Sequence, residues 1–165
     1  MGKFDVDEAN RTLEATGKPP AWVTEHLRIY RESGGAEGHL FEATPANFPG
    51  NIVPCLLLTT IGRRSGKKQT SPMFYSTVGE AYVVAGSKGG ADTQPGWYLN
   101  LRAHPVVEVQ VGREQFTAHA RVATGKERER LWEQMVQLCP LYRDYQKKTK
   151  REIPVVVLEK RPTSK

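Results

Sequence analysis

Cysteine is scarce in this chain of 165 residues: Cys55 and Cys139 are its only two, with no CxxC pair and no repeated spacing. Each stands beside a proline in apolar surroundings, so two buried thiols in a reducing compartment are expected, although one bridge between them stays compatible with the sequence. The four histidines, His26, His39, His104 and His119, fall far apart without HxxH or HExxH spacing, and no metal site is predicted. Long apolar runs are missing as well. LLL and VVVL are strand-sized, far below the roughly 20 residues that span a bilayer. The opening stretch, MGKFDVDEANRTLEATGKPP, is polar and holds no apolar core of a signal peptide. These absences predict a cytoplasmic protein, with peripheral membrane contact left open. No internal repeat, low-complexity tract or compositional break calls for a second domain.

What is present is an ordinary globular composition with an excess of positive charge. A chain of this length buries about two thirds of the surface its unfolded form exposes. One domain is expected over residues 19–165, behind a polar lead of residues 1–18. The formal net charge of +6 favours anionic partners at long range: nucleic acid, anionic lipid or a phosphorylated cofactor.

The periodicity of apolar residues changes along the chain. AWVTEHLRIYRESGG, after Pro19 and Pro20, has a helical period and ends at Gly34-Gly35. Its plain role is a helix packed across a sheet, and its sharper one a lid whose aromatic face touches an apolar substrate or a membrane. Residues from about 36 to 51 read as a loop rich in Gly, Pro and Asn. IVPCLLLTTI, QTSPMFYST and EAYVVAGS then read as strands, the first apolar on consecutive residues as in a strand covered on both faces. Pro54 and Pro72 suit strand starts, bulges or edges. WYLNLRAHP reads as a short helix ending before Pro105, while VVEVQV and EQFTAHARV form a hairpin around Gly112-Arg113. Thr124 is placed to cap the helix KERERLWEQMVQLC, PLYRDYQKKT follows, and IPVVVLE is the last strand. About six mainly antiparallel strands are too close together for repeated βαβ crossovers, which predicts a small, partly closed antiparallel barrel with helices packed outside.

One loop concentrates charge: GRRSGKKQTSP, from Gly62 to Pro72. It is not a phosphate loop of the Walker type, because Gly62 and Gly66 are three residues apart and Lys67 is followed by Lys68; no GxGxxG occurs either. Gly62 and Gly66 permit a tight turn, Ser65 adds a hydroxyl, and Arg63, Arg64, Lys67 and Lys68 supply cations, a set suited to a phosphate or several carboxylates. The plain alternative is a solubilising hairpin tip. Nucleic acid is disfavoured, since no stacking aromatic interrupts the basic cluster and no recognition helix accompanies it. Ser87-Lys88-Gly89-Gly90 offers the same ingredients a second time. Simple alternation of the three strands is taken to separate the two loops, which could still flank one groove of a small barrel. Trp97 and Tyr98 can wall an aromatic ring or fill a core, and Tyr142 and Tyr145 share a helical face where they can orient an oxygen or pack at the rim.

LLLTTIGRRSGKKQTSP, AYVVAGSKGG, PGWYLNLRAHPVVEVQVG and YRDYQKKTKREIPVVVLE together resemble the deazaflavin-dependent nitroreductase family, split β-barrel oxidoreductases of actinobacteria. The resemblance covers about residues 45 to 160. It implies an FMN-binding split-barrel-like fold and the coenzyme F420, an 8-hydroxy-5-deazaflavin, with its ring in a groove of the barrel and its acidic tail toward basic residues. By that likeness Arg63, Arg64, Ser65, Gly66, Lys67 and Lys68 contact the tail, Ser87 and Lys88 form a second cofactor loop, and Trp97 and Asn100 stand in the WYLNL element. Tyr142 and Tyr145 lie near ring and acceptor, with Tyr75 and Trp22 as further candidates to line the acceptor pocket.

The same likeness implies hydride transfer from the reduced coenzyme to an electron-poor quinone, enone or nitroaromatic, with Tyr145, Tyr142 or Ser87 steadying the acceptor oxygen and no metal required. Two departures stand out. Gln69 occupies a position near which many relatives carry arginine, and Lys148 stands where a third tyrosine is expected. The competing readings are an FMN-binding oxidoreductase on the same barrel, a non-enzymatic carrier of the deazaflavin, and a nucleic-acid binder.

Overall fold

Apolar runs broken by glycine turns build antiparallel strands, and in this protein eight of them pair into one curled sheet. A computed structural model describes residues 21–37, 40–43 and 51–161; the polar lead of residues 1–18 lies outside the described residues. The strands are β1 (Leu40–Ala43), β2 (Asn51–Ile61), β3 (Lys68–Phe74), β4 (Ser76–Val78), β5 (Ala81–Ala85), β6 (Val106–Val111), β7 (Glu114–Val122) and β8 (Val155–Lys160). The helices are α1 (Ala21–Glu32), α2 (Gly96–Ala103), α3 (Gly125–Leu138) and α4 (Leu141–Lys147), with a short 3-10 turn at Lys88–Gly90. Every pairing is antiparallel.

The split-barrel expectation holds, with two more strands than the sequence suggests. β1 falls inside the stretch read as loop: four residues, LFEA, are too few for a period to register. The run QTSPMFYST breaks at Tyr75 into β3 and β4. That break shapes the barrel. The hydrogen-bonded order is β1-β2-β6-β7-β8-β5-β4, with β3 on β2, so the two margins of the curl are consecutive in the chain and meet at Tyr75. Tyr75 N–H donates to the Pro54 carbonyl at 3.2 Å, which holds the corner. Pro72 sits in β3 opposite Leu57 of β2, and among the described residues β3 pairs with no other strand, the edge setting in which proline is tolerated.

Two apolar clusters explain why β2 is apolar at successive positions. Leu56 and Leu58 face inward with Val84, Val107, Val109, Ala118, Ala120, Val156 and Leu158, and α2 adds Tyr98 and Leu101 at one end. Cys55 and Leu57 face outward beneath Tyr30 of α1, Leu131 and Met135 of α3, and Tyr142 and Tyr145 of α4. Both cysteines are buried, and neither forms a disulfide. Gly79 and Gly112, at φ 57 and φ 56, occupy the two-residue turns between β4 and β5 and between β6 and β7, where a side chain would be strained. Thr124 takes the N-cap position of α3 with an extended backbone, but its hydroxyl makes no capping bond.

α1 is fastened by one phenol. The buried Tyr30 hydroxyl accepts from Gly112 N–H at 2.7 Å and donates to Cys55 O at 3.0 Å, with Gln110 O at 3.3 Å. The chain beyond α1 then runs so close to the β6–β7 turn that a Cβ on Gly35 would lie 1.6 Å from Gly112 O. Burial pushes the Tyr30 phenol up to about 12, against the lowering effect of the Gly112 N–H. In the unfolded chain it ionises near 10. Between these values the folded state binds more protons than the unfolded one, so this part of the stability is full below about pH 10 and lost as pH rises toward 12. Tyr30→Phe should therefore cost about 1–3 kcal/mol in urea denaturation at pH 7 with an unchanged m-value, and should flatten the alkaline fall in stability. An unaltered alkaline limb would show that Tyr30 does not carry it.

Candidate functional site

Strand direction places the charged loops. β2 runs toward the basic turn, β3 and β4 run back, and β5 runs out again toward Ser87, so an up–down–up path leaves both loops at the same end of the barrel. The register through β6, β7 and β8 agrees, since Thr59 pairs with Glu108 near the start of β6 and Ala85 pairs with Val155 at the start of β8. Simple alternation thus unites the loops, correcting the expectation that it would part them.

The basic turn closes on itself through Gly62 N–H to Lys67 O and Gly66 N–H to Gly62 O, both 2.8 Å, with Gly66 at φ 71. Ser65 Oγ accepts from Lys67 N–H at 3.2 Å. Arg63, Arg64, Ser65, Gly66, Lys67 and Lys68 are all exposed. Lys68, which opens β3, reaches sideways to Glu108 at 3.0 Å in an exposed pair of small energetic weight.

Asn100 holds the turn from behind. Its side chain is 1 % exposed, and its Oδ1 accepts from Arg63 N–H at 3.1 Å and from Arg63 Nη1 at 3.0 Å. Its Nδ2 donates to Thr60 Oγ1 at 3.2 Å and to Gln69 Oε1 at 2.9 Å. Both ends of the amide are engaged inside the protein, so Asn100 shapes the cationic turn. Gln69, at a position of departure from the resembled family, is one of its partners.

The second loop is equally constrained. Ser87 is in the right-handed helical region, and Lys88 at φ 45 is the one non-glycine residue with positive φ among the described residues, a conformation that costs about 1–2 kcal/mol. Lys88 Nζ donates to Thr93 Oγ1 at 3.0 Å. Gly90 lies against α4 so closely that a Cβ there would meet Tyr145 O at 2.5 Å and Lys148 Cβ at 3.0 Å. The end of the Ser87–Gly90 loop therefore packs against the α4 backbone at Tyr145. The loop continues through Pro95 into α2, which carries Trp97 and, one turn on, Asn100.

Tyr142 and Tyr145 sit edge to face at 6.2 Å, and both are buried in the outer cluster. Burial raises the Tyr142 phenol well above its usual range, so it keeps its proton at neutral pH. Lys148 Nζ stands 5.7 Å from the Tyr145 ring centroid. Tyr75 belongs to the inner cluster, edge to face with Tyr82 at 5.4 Å, so the structure does not group it with the late tyrosine pair. Cys55 lies within electrostatic range of both Tyr75 and Tyr142, and its thiol is pushed up by burial. Trp97 is half-buried on the inner cluster and edge-on to Tyr98. Trp22 falls in α1, and its side chain lies outside the described residues.

Two depressions flank this rim. One, of about 500 Å³, lies over the outer face of β2, β3, β6 and β7, lined by Arg31, Thr59, Thr70, Glu108 and Gln110. The other, of about 660 Å³, is bounded by Asp92, Lys147, Lys148, Lys150 and Arg151 beside the Ser87 loop. Arg151 was not singled out from sequence, although it lies within the YRDYQKKTKREIP motif. Among the described residues no cluster of three or more His, Cys, Asp or Glu could hold a metal ion, and no helix is long and apolar enough to cross a membrane.

A curled antiparallel barrel with helices packed outside and two cationic loops at one rim, joined by a short helix, places the chain in the split β-barrel class. The profile of the F420H(2)-dependent quinone reductases matches residues 22–160, and the chain belongs to that family. An F420H(2)-dependent quinone reductase of Mycobacterium tuberculosis is 37% identical over 139 residues, which cover 82% of this chain and 88% of that protein. A solved F420-H2 dependent reductase (FDR-A) is 41% identical at a TM-score of 0.60, covering 64% of this chain and 94% of its own. A further solved chain, described as a domain-swapped dimer, is 36% identical at a TM-score of 0.63, covering 84% and 97%.

Replacing Asn100 by Leu keeps the branched shape of the side chain but leaves Arg63 N–H and Thr60 Oγ1 without their partner. The expected cost is about 1–3 kcal/mol, accompanied by faster amide exchange at Arg63 while the β6–β7 hairpin keeps its protection. Unchanged exchange at Arg63 would mean that the turn holds its shape without Asn100.

Proposed function

We propose that this protein binds the deazaflavin coenzyme F420 across the rim from the basic turn to the Ser87 loop and uses its reduced form to reduce an electron-poor conjugated acceptor. Quinones, activated enones and nitroaromatics are the acceptor class. The observation that carries the reading is the meeting of two cationic loops at one end of the barrel, with α2 running from one to the other. The donor set fits the coenzyme's acidic tail: Arg63, Arg64, Lys67 and Lys68 are exposed on one tight turn, and Lys88 stands on the second loop. Family membership supports the same cofactor.

When bound, the reduced coenzyme supplies a hydride and disfavours one-electron chemistry. The chain's own residues bind, orient and shield. Arg64 and Lys67 attract the tail's charges at the solvent edge, where screening by salt is strongest. Ser87 and Trp97 border the entry to the ring site, and Asn100 holds the turn. Tyr142 and Tyr145 offer hydroxyl groups for the acceptor oxygen as negative charge gathers on it. With its phenol raised by burial, Tyr142 is suited to donating a hydrogen bond and poorly suited to releasing a proton. Positioning therefore outweighs acid catalysis in this assignment.

The cleanest test spares Arg63, because its side chain is tied to Asn100. Charge reversal at Arg64 and Lys67 together should weaken the coenzyme at least about tenfold at low salt, leave a tail-less deazaflavin fragment within about twofold, and lose most of its effect at high salt. Equal weakening of both ligands would indicate a disturbed fold, and saturable binding of FMN in place of the deazaflavin would favour the flavin alternative. For the chemistry, Tyr145→Phe should bind the coenzyme normally and slow hydride transfer to a quinone about ten- to a hundredfold. Unchanged single-turnover rates with a quinone and a nitroaromatic would remove Tyr145 from the site, and binding without transfer to any acceptor would leave a carrier.

A further inference from the structure

One cation of this rim serves neither the basic turn nor the surface. Arg151 lies between α4 and β8, and its guanidinium makes four hydrogen bonds to neutral oxygens. Nε donates to Ala91 O at 2.8 Å, Nη1 to Gly86 O at 3.2 Å and to Gln94 Oε1 at 2.9 Å, and Nη2 to Ser87 O at 2.8 Å. Three carbonyls of a single loop are thus turned toward one planar group. No peptide in the described chain is cis, so with the Gly86 and Ser87 carbonyls facing the guanidinium, the N–H groups of Ser87 and Lys88 point the other way. Lys88 is held at φ 45 between these fastened peptides, a conformation its own sequence would not select.

The anchor is itself anchored. Gln146 of α4 donates from Nε2 to Arg151 O at 2.8 Å and accepts at Oε1 from Ile153 N–H at 2.9 Å, while Gly86 N–H donates to Pro154 O at 2.9 Å. Burial lowers the Arg151 pKa, partly offset by nearby Asp92. The arrangement uses a full guanidinium fork. A lysine has a single ammonium and cannot meet four oxygens spread over residues 86 to 94 in that plane.

We propose that Arg151 is a positioning residue of the reductase, which fixes the backbone of the Ser87–Gly90 loop so that Ser87 and Lys88 present their side chains to the deazaflavin coenzyme. The proposal rests on the cofactor reading above. Arg151 makes no contact with the ligand in this scheme; it acts through Lys88. Loss of the fork frees Lys88 to leave its left-handed conformation, and the binding contribution of Lys88 goes with it.

The test is fluorescence titration of oxidised coenzyme F420 with the full chain carrying Arg151→Gln, Arg151→Lys, Lys88→Ala and the Arg151→Gln/Lys88→Ala pair, each checked for fold by circular dichroism. Arg151→Gln should raise the dissociation constant about tenfold. Arg151→Lys should stay within about threefold of Arg151→Gln, because the planar fork is lost although the charge is kept. Lys88→Ala should add little to Arg151→Gln, since the two act as one unit. A folded Arg151→Gln protein with wild-type affinity, full rescue by lysine, or fully additive losses would each overturn the proposal. Should Arg151→Gln not fold, Arg151→Lys with and without Lys88→Ala decides by the same additivity. Wild-type protein that leaves the coenzyme's fluorescence unchanged at saturation would remove the cofactor reading and this proposal with it, whereas weakening by Lys88→Ala but not by Arg151→Gln would remove this proposal alone.

Discussion

Between Phe74 and Ser76 the chain leaves one margin of the curled sheet and joins the other, because β3 pairs with β2 while β4 pairs with β5. A sheet curls because its strands twist, and closing it needs its two margins to meet without leaving long unpaired edges. Here a single bent stretch supplies both margins. Tyr75 stands at the bend, its ring in the inner cluster and its N–H on Pro54 O. Once that corner is set, β2 and β5 must run in the same direction, and the loops that follow them must share one end. The cationic rim is therefore a consequence of the barrel's closure. Asn100 and Arg151 then refine the shape of what topology has already gathered.

Gathering cations at one rim raises a physical difficulty. Like charges repel, and the usual remedy, an acidic partner, would cancel the field that attracts an anion. Lys68 shows the usual remedy, paired with Glu108 at 3.0 Å. Arg63 and Arg151 show another. Arg63 is bound by the neutral Oδ1 of Asn100, and Arg151 by three backbone carbonyls and the neutral Oε1 of Gln94. Neutral acceptors orient a guanidinium and satisfy its donors while leaving its net charge in place. The hydrogen bonds that fix these two guanidiniums are thus made to neutral acceptors, with Asp92 the acid that acts on Arg151 from nearby.

The strands were legible because alternation and glycine turns are local. Gly112-Arg113 between two alternating runs specified the β6–β7 hairpin, and the consecutive apolar residues of β2 announced a strand covered on both sides. β1 was not legible, since four residues carry no usable period and its pairing with residues 51–54 is a tertiary fact. The role of Asn100 was hidden for a different reason. Within WYLNLRA it resembles a ligand-facing amide, and only the fold reveals that the turn 37 residues earlier in the chain takes up its oxygen. Arg151 looked like one more cation in KKTKRE, because exposed and anchored arginines are identical in one dimension. Tyr75, Tyr142 and Tyr145 could be picked out by type, but which face of the sheet each occupies depends on the bend.

Lys148 brings these constraints to bear on the chemistry. It stands where the resembled family leads one to expect a tyrosine, and its ammonium lies 5.7 Å from the Tyr145 ring, a contact worth about 0.5–1 kcal/mol at an exposed position. Its Cβ lies within 3.0 Å of the place a side chain on Gly90 would need, so this residue also helps to hold the Ser87 loop against α4. A tyrosine there would offer an aromatic wall and a neutral hydroxyl. A lysine instead brings a cation to the Tyr145 ring. The exchange thus trades apolar contact for electrostatic stabilisation beside the tyrosine pair.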